Sequence, residues 1–131
     1  YLIVKKCIEN NIIIECLPGP TALIPALVIS GLPCERFTFE GFLPIKKGRK
    51  TRLEELSVEK RTMVFYESPH KLIKTLNDFS KTFGDEREIS VTKEISKVFE
   101  STIRGKIINI LNEINDSKIK GEYVLVVAGT K

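Results

Sequence analysis

The sequence predicts an α/β domain built around a mixed β-sheet. Segments with the apolar pattern of strands mostly alternate with segments that have the 3.6-residue apolar period of helices, which is typical of layered α/β domains. Two strand-like segments, 88–93 and 99–104, lie too close together for a helical crossover, so they should pair antiparallel. With 131 residues, 42% of them hydrophobic, the chain can bury about two-thirds of its surface around one core, and we expect a single domain over residues 1–131.

The first third of the chain predicts two helices with a strand between them. Residues 1–10 have a helical apolar pattern, and the β-branched run at 12–16 indicates a short strand. The Pro-Gly-Pro sequence within 18–22 predicts a rigid turn. An apolar helix over 21–30 should follow this turn and end at Gly31.

The next part of the chain predicts a strand, a basic loop, a helix and a second strand. Aromatic and polar residues alternate over 36–42, which indicates a strand. Residues 45–52 are rich in lysine and arginine and are expected to form a loop, followed by a short polar helix at about 50–57. The continuous apolar run at 62–66 predicts a strand that is covered on both faces.

The clearest helix follows directly after this strand. Ser68 suits the N-cap, Pro69 suits the first helical position and Gly84 suits the C-terminal cap. Between these ends, one helical stripe collects the apolar side chains of Leu72, Ile73, Leu76, Phe79 and Phe83. Beyond the antiparallel pair, the sequence predicts a helix at 107–114 and a final buried strand over 123–128.

Composition and charge narrow the possible functions. Lysine and arginine total 21 against 17 acidic residues, and this mild excess of +4 permits an anionic partner without requiring one. The three cysteines include no Cys-x-x-Cys pair and there is one histidine, so we predict no metal site and reduced thiols in a cytoplasmic protein. No apolar run reaches the roughly 18 residues that span a bilayer, so we predict no membrane association.

The junction of strand and helix at 62–70 is the first segment that could carry chemistry. Ligands of open α/β sheets bind beyond the carboxyl ends of strands, where helix N-termini offer free N–H groups. Tyr66 could stack on a planar ring, and Glu67 could accept hydrogen bonds from hydroxyl groups. On the alternative interpretation, which the pattern alone favours, Ser68 only caps the helix, Tyr66 only packs and Glu67 is solvated.

The turn at 18–22 and the basic run at 46–52 are the other two segments. Small residues in the turn would let a ligand approach the backbone, although a rigid connector explains them equally well. Five of the seven residues in the basic run are lysine or arginine, which would either attract phosphates or be solvated. No P-loop, Gly-x-Gly-x-x-Gly, His-Glu-x-x-His or Ser-His-Asp arrangement is present, and a lone histidine such as His70 is more often structural, so the catalytic residue stays unknown.

Five strings occur in an order that resembles a known superfamily. They are Leu-Pro-Gly-Pro-Thr-Ala-Leu at 17–23, Ser-Gly-Leu-Pro at 30–33, Phe-Thr-Phe-Glu-Gly-Phe-Leu-Pro at 37–44, Val-Phe-Tyr-Glu-Ser-Pro-His at 64–70 and Gly-Glu-Tyr-Val-Leu-Val at 121–126. Together they resemble the C-terminal half of the tetrapyrrole-methylase-like superfamily. The third and fourth strings are the specific part, and they are similar to the bacterial small-subunit ribosomal RNA cytidine 2′-O-methyltransferases within it.

The resemblance implies a fold and a cofactor. The fold would be a three-layer α/β domain with a mixed sheet flanked by helices, which is the C-terminal domain of the tetrapyrrole methylase fold. The N-terminal domain of the parent protein would then be missing from this chain, and S-adenosylmethionine would lie in the cleft between the two domains. The residues implied to bind this cofactor are Thr21, Ala22, Tyr66, Glu67, Ser68, Gly121, Glu122 and Val124.

The resemblance also implies a substrate and an assembly. The intact parent, a homodimer, would methylate a ribose 2′-hydroxyl of a cytidine in the RNA of the small ribosomal subunit, and this chain alone would be inactive. Because RNA is a polyanion, the predicted RNA contacts are Lys46, Lys47, Arg49, Lys50 and Arg52. Glu67 is the only carboxylate placed at the ligand edge that could accept a proton. Two alternatives stay open: a tetrapyrrole methylase of the cobalamin or sirohaem pathways, and a binding or dimerisation module without activity.

Overall fold

A computed structural model describes residues 1–114 and 119–130. Within these residues five strands form one sheet, and they are β1 (Phe37–Gly41), β2 (Thr62–Glu67), β3 (Glu88–Lys93), β4 (Ser101–Lys106) and β5 (Tyr123–Val127). The helices are α1 (Leu2–Glu9), α2 (Leu23–Ile29), α3 (Arg49–Ser57), α4 (Leu72–Phe83) and α5 (Ile107–Glu113), with one turn of 3₁₀ helix at Pro69–Lys71 directly before α4.

The sheet is mixed, which confirms the prediction from the sequence. Its strand order is β1–β2–β5–β3–β4, and β1 runs parallel to β2 while every other neighbouring pair is antiparallel. The β3–β4 hairpin confirms the antiparallel pairing expected from the close spacing of its strands. The last strand, β5, lies in the centre of the sheet, and all five of its residues are buried.

Helices cover both faces of the sheet, so the domain has three layers. Successive side chains of a strand point to opposite faces, and on β2 Val64 packs in the core under α2 whereas Phe65 packs in the core under α3, α4 and α5. The larger core contains a run of rings in which Phe79 lies 5.0 Å from Phe65 and 4.9 Å from Phe83 between centroids. Full burial of each such side chain contributes roughly 1.5–3 kcal/mol.

The prediction of a strand at residues 12–16 is wrong. The segment carries no secondary structure, and Ile13 is 89% exposed. β-branched residues favour an extended backbone, but a strand is stable only when a neighbouring strand accepts and donates its hydrogen bonds. Among the described residues, the sheet ends at β1 on one side and β4 on the other, and neither edge pairs with this segment.

One cap and several boundaries differ from the sequence prediction, including those of α3 and β4. Ser68 precedes the 3₁₀ turn in an extended conformation, but its side chain makes no capping hydrogen bond, so the predicted Ser68 cap is wrong in its chemistry. The helix α3 begins at Arg49, inside the stretch expected to be a loop. The strand β4 begins at Ser101, two residues later than predicted, after a loop in which Glu94 and Ser96 adopt positive φ angles.

Candidate functional site

A cleft of about 390 Å³ lies at one edge of the sheet, where β2 ends and β5 begins. The antiparallel register of these strands creates it, because Tyr66 pairs with Val124 and Glu67 pairs with Tyr123. Residues almost 60 positions apart in the sequence therefore meet at one point. The lining residues are Ala22, Phe42, Tyr66, Glu67, Ser68, Pro69, Ile95, Gly121, Glu122, Tyr123 and Val124.

Most of the residues expected to bind the cofactor are brought together in this cleft. Seven of the eight line it, namely Ala22, Tyr66, Glu67, Ser68, Gly121, Glu122 and Val124. Thr21 is exposed and does not line the cleft. Sequence reasoning missed Phe42, Pro69 and Ile95, although the first two stand in strings that carried the resemblance, and Tyr123 lies within the range 121–124 that the resemblance implied.

Aromatic rings form one wall of the cleft. The half-buried ring of Tyr66 meets Phe39 edge to face, with ring centroids 5.0 Å apart, and meets Phe42 at 5.8 Å in the same manner. Edge-to-face pairs hold aromatic rings in fixed orientations. The wall therefore provides a rigid apolar surface on which a planar ligand could pack.

Glu67 is buried and serves as a hydrogen-bond acceptor on both of its oxygens. The Thr75 hydroxyl donates to Oε2 over 2.6 Å, and the backbone N–H of Ser68 donates to Oε1 over 2.8 Å. The side chain of Glu67 is only 5% exposed, so the interpretation of a solvated carboxylate is wrong. The carboxylate fixes the turn that leaves β2, which is a positioning role at the floor of the cleft.

Arg49 extends this network towards the basic run. Its Nη2 donates to the Thr75 hydroxyl over 2.8 Å, its Nε donates to Asp78 over 2.8 Å, and its Nη1 donates to the backbone carbonyl oxygen of Pro44 over 3.1 Å. Arg49 is 7% exposed, and each guanidinium nitrogen donates inside the protein. The expectation that Arg49 contacts RNA phosphates is corrected on this ground, since a buried guanidinium with satisfied donors is not available to an external ligand.

The remaining basic residues of the run lie at the surface. Lys46, Lys47 and Lys50 are exposed, and Lys50 lies 3.7 Å from Glu54. Arg52 pairs with Glu55 at 2.9 Å and also with Glu40. The hydrogen bonds that Arg52 donates to Glu55 and to Glu40 raise its pKa.

A glycine turn forms the opposite rim of the cleft. Gly121 has a φ of +84°, and an added Cβ would lie 2.6 Å from the side chain of Glu94. Oε1 of Glu94 accepts the backbone N–H of Glu122 and the ammonium of Lys97, both over 2.9 Å. These hydrogen bonds lower the pKa of Glu94, the bond from Lys97 being the stronger cause. The rim therefore depends on the absence of a side chain at position 121.

Two further observations concern the described residues as a whole. No helix over residues 1–114 and 119–130 is long and apolar enough to cross a membrane. The same residues contain no group of three or more histidine, cysteine or acidic side chains that could hold a metal ion.

Fold and cleft together define a class of protein, and the chain belongs to the family of Tetrapyrrole (Corrin/Porphyrin) Methylases, whose model matches residues 1–110. It is similar to the solved structure of the cobalamin biosynthetic enzyme cobalt precorrin-4 methyltransferase, with a TM-score of 0.67 at 14% identity, over 97% of this chain and 56% of the other. A uroporphyrin-III C-methyltransferase from Thermus thermophilus, solved in complex with S-adenosylhomocysteine, has a TM-score of 0.59 at 12% identity over 95% and 57% of the two chains. At such identities the likeness concerns the fold.

Curated relatives of higher identity form a narrower group. The protein called ribosomal RNA small subunit methyltransferase I is 41% identical in Xylella fastidiosa (strain 9a5c) over 132 residues, which cover 98% of this chain and 48% of the relative. The protein with the same name in Mycobacterium tuberculosis (strain CDC 1551 / Oshkosh) is 44% identical over 133 residues, which cover 98% and 45%. The chain spans about half the length of the curated relatives it matches.

Proposed function

We propose that this chain forms one side of the cofactor cleft of an S-adenosylmethionine-dependent methyltransferase that acts on ribosomal RNA of the small subunit. The single observation that carries the proposal is the convergence of 66–68, 121–124 and Ala22 on one cleft in a chain of the methylase family. The finer proposal is a ribose 2′-hydroxyl of a cytidine as methyl acceptor. The relatives at 41% and 44% identity are named for small-subunit ribosomal RNA, which supports ribosomal RNA over a tetrapyrrole as the substrate class.

The chemistry of the cleft fits an adenosyl group. Its volume of about 390 Å³ falls in the range of roughly 300–1,000 Å³ that small-molecule sites occupy. Tyr66, Ile95 and Val124 offer apolar surface for a purine ring, while Ala22 and Gly121 carry little or no side chain and leave the backbone accessible. Thr21, next to Ala22, stays in the proposal as a contact from the rim.

The proposed chemistry is attack of a ribose hydroxyl on a methyl group. S-adenosylmethionine, when bound, supplies that methyl group in an activated form. The chain's own contribution is to bind and orient, which lowers the barrier by holding the two reactants in line. Glu67 holds the turn at Ser68 through its Oε1 and is itself held by Thr75, so it serves as a positioning residue, and no residue of this chain is assigned as the base.

Exposed lysines of the basic run support a polyanionic substrate. Lys46 and Lys47 precede α3 and Lys50 lies in its first turn; all three are solvent-exposed, so they are retained as proposed phosphate contacts. Arg52 is retained as a weaker contact because two carboxylates already neutralise it. Such contacts release counterions from RNA and make binding dependent on salt.

The proposal extends to a homodimer in the cytoplasm. Large apolar side chains of α1 and the segment after it are exposed, including Leu2, Ile3, Ile13 and Leu17. Exposed large apolar side chains, where they form one patch, are typical of a protein–protein interface. Light scattering of the full-length protein is expected to give twice the mass of one chain, and a monomer at micromolar concentration would contradict the dimer.

Methyl transfer with competing substrates tests the function. The full-length protein is incubated with methyl-labelled S-adenosylmethionine and, in parallel, with undermethylated small ribosomal subunits and a uroporphyrinogen-type tetrapyrrole. The proposal predicts label in RNA that survives alkali within a dinucleotide, because a 2′-O-methyl group blocks cleavage of the adjacent phosphodiester. Label in the tetrapyrrole alone would establish the alternative function, and label in neither would favour a module without activity.

A further inference from the structure

A groove lies between α3 and α4 on the outer face of the helical layer. Its volume is about 680 Å³, and lysines line both of its sides. Lys46 and Lys50 belong to the basic run, whereas Lys74 and Lys81 belong to α4 and were not singled out from the sequence. All four lysines are exposed.

The two lysines on α4 share one face of the helix. They are seven residues apart, which corresponds to two turns and to about 10 Å along the helix axis. Among the described residues, neither Lys74 nor Lys81 forms an ion pair with a carboxylate. Their separation along the groove suits contacts with different phosphates of one strand better than a single compact anion.

The acidic residues of the groove are largely neutralised. Asp78 is held by Arg49 at 2.8 Å, and Glu54 lies 3.7 Å from Lys50. The four lysines and Arg49 therefore outnumber the two acids by three charges, five against two. A groove with this net charge attracts a polyanion and loses that attraction as salt is added.

The groove and the cleft are connected through the protein by two hydrogen bonds. Arg49, which lines the groove, donates to the Thr75 hydroxyl over 2.8 Å, and Thr75 donates to Glu67, which lines the cleft, over 2.6 Å. Thr75 of α4 is therefore the residue that joins the groove to the cleft.

We propose that the α3–α4 groove binds the phosphate backbone of the RNA substrate, with Lys74 and Lys81 as phosphate contacts on α4. The inference rests on the proposed function and adds a defined surface to it. The contacts read charge and not base identity, so they anchor the strand while the cleft selects the nucleotide. Removal of the two lysines should weaken binding of RNA without changing the cofactor cleft, since neither lysine lines that cleft.

The test compares three double variants of the full-length protein for affinity to undermethylated small-subunit RNA at several salt concentrations. K74A/K81A is expected to bind RNA about tenfold more weakly at 0.1 M salt. The slope of log affinity against log salt should become shallower by about 1.4–1.8, because each of the two lost phosphate contacts contributes about 0.7–0.9. K74R/K81R keeps the charge and should keep the slope. K6A/K106A removes two exposed lysines that do not line the groove and should also keep it.

The outcomes separate this inference from the function on which it rests. If the wild-type protein methylates RNA and K74A/K81A has the same affinity and slope as K6A/K106A, the groove is not the phosphate site, although the function stands. If K74R/K81R lost affinity for RNA although it keeps both positive charges, the proposal that the lysines act through their charge would also be overturned. If the wild-type protein neither binds nor methylates RNA, the proposed function fails first and the groove inference fails with it. S-adenosylhomocysteine affinity should be equal in all four proteins, and a selective loss in K74A/K81A would contradict the assignment to RNA.

Discussion

Replacement of Thr75 by valine tests whether the buried network holds the floor of the cleft. Valine has nearly the shape of threonine but lacks the hydroxyl group, so the variant removes a donor to Glu67 at 2.6 Å and an acceptor for Arg49 at 2.8 Å. Thr75 is fully buried, which leaves both charged partners short of a hydrogen bond in a dry environment. A hydrogen bond to a charged group contributes about 1.5–3 kcal/mol, so the free energy of unfolding should fall by about 3 kcal/mol or more.

The assay is urea unfolding of the full-length protein and of two variants, T75V and T75S. Serine keeps the hydroxyl and loses one methyl group, which should cost only about 1 kcal/mol. Because Glu67 lines the cleft, T75V should also weaken binding of S-adenosylhomocysteine, whereas T75S should bind it almost as tightly as the wild-type protein does. Equal stability and equal ligand affinity in T75V and T75S would refute the claim that the hydroxyl positions Glu67.

Two further predictions concern backbone and charge at other points of the fold. Gly121→Ala should lower the free energy of unfolding by about 1–2 kcal/mol, because alanine is strained in a left-handed backbone. It should also weaken cofactor binding in calorimetry, because the new Cβ meets Glu94. The control Gly48→Ala has a similar φ of +80° with open space around it and should leave cofactor binding unchanged. Hydrogen bonds from Arg61 lower the pKa of Glu59 from 4.5 to about 2, so this carboxylate stabilises the fold above pH 4.5 and the contribution is lost as the pH falls towards 2. Glu59→Gln should flatten the curve of unfolding free energy against pH between pH 4.5 and 2. Salt should reduce this effect, because the Glu59–Arg61 pair is exposed. An unchanged curve at low salt would contradict the stabilising role of Glu59.

The parts of the site that neighbouring residues determine were predictable from the sequence, whereas the parts that long-range strand pairing determines were not. The junction of strand and turn at 66–68 follows from a buried apolar run and a proline, so it was predictable from the residues themselves. The contribution of 121–124 came only from the resemblance, because the register between β2 and β5 joins residues far apart in the chain. Long-range pairing of this kind leaves no local signal.

Two wrong expectations have the same physical origin. Residues 12–16 have the β-branched composition of a strand, yet a strand requires a neighbour that the segment itself does not specify. Arg49 stands in a run of exposed lysines and looks like one of them, yet Asp78 and Thr75 on α4 draw its side chain into the protein. In both cases tertiary contacts decide the outcome against the local pattern.

The central claim, that the cleft between β2 and β5 holds the cofactor, is tested most directly by a structure of the full-length protein with S-adenosylhomocysteine bound. We expect the adenosyl group to lie in van der Waals contact, within about 4.5 Å, with Tyr66 and with backbone atoms of 121–124. Ala22 should face the same ligand from the turn before α2. A bound cofactor that touches neither Tyr66 nor 121–124 would contradict the account.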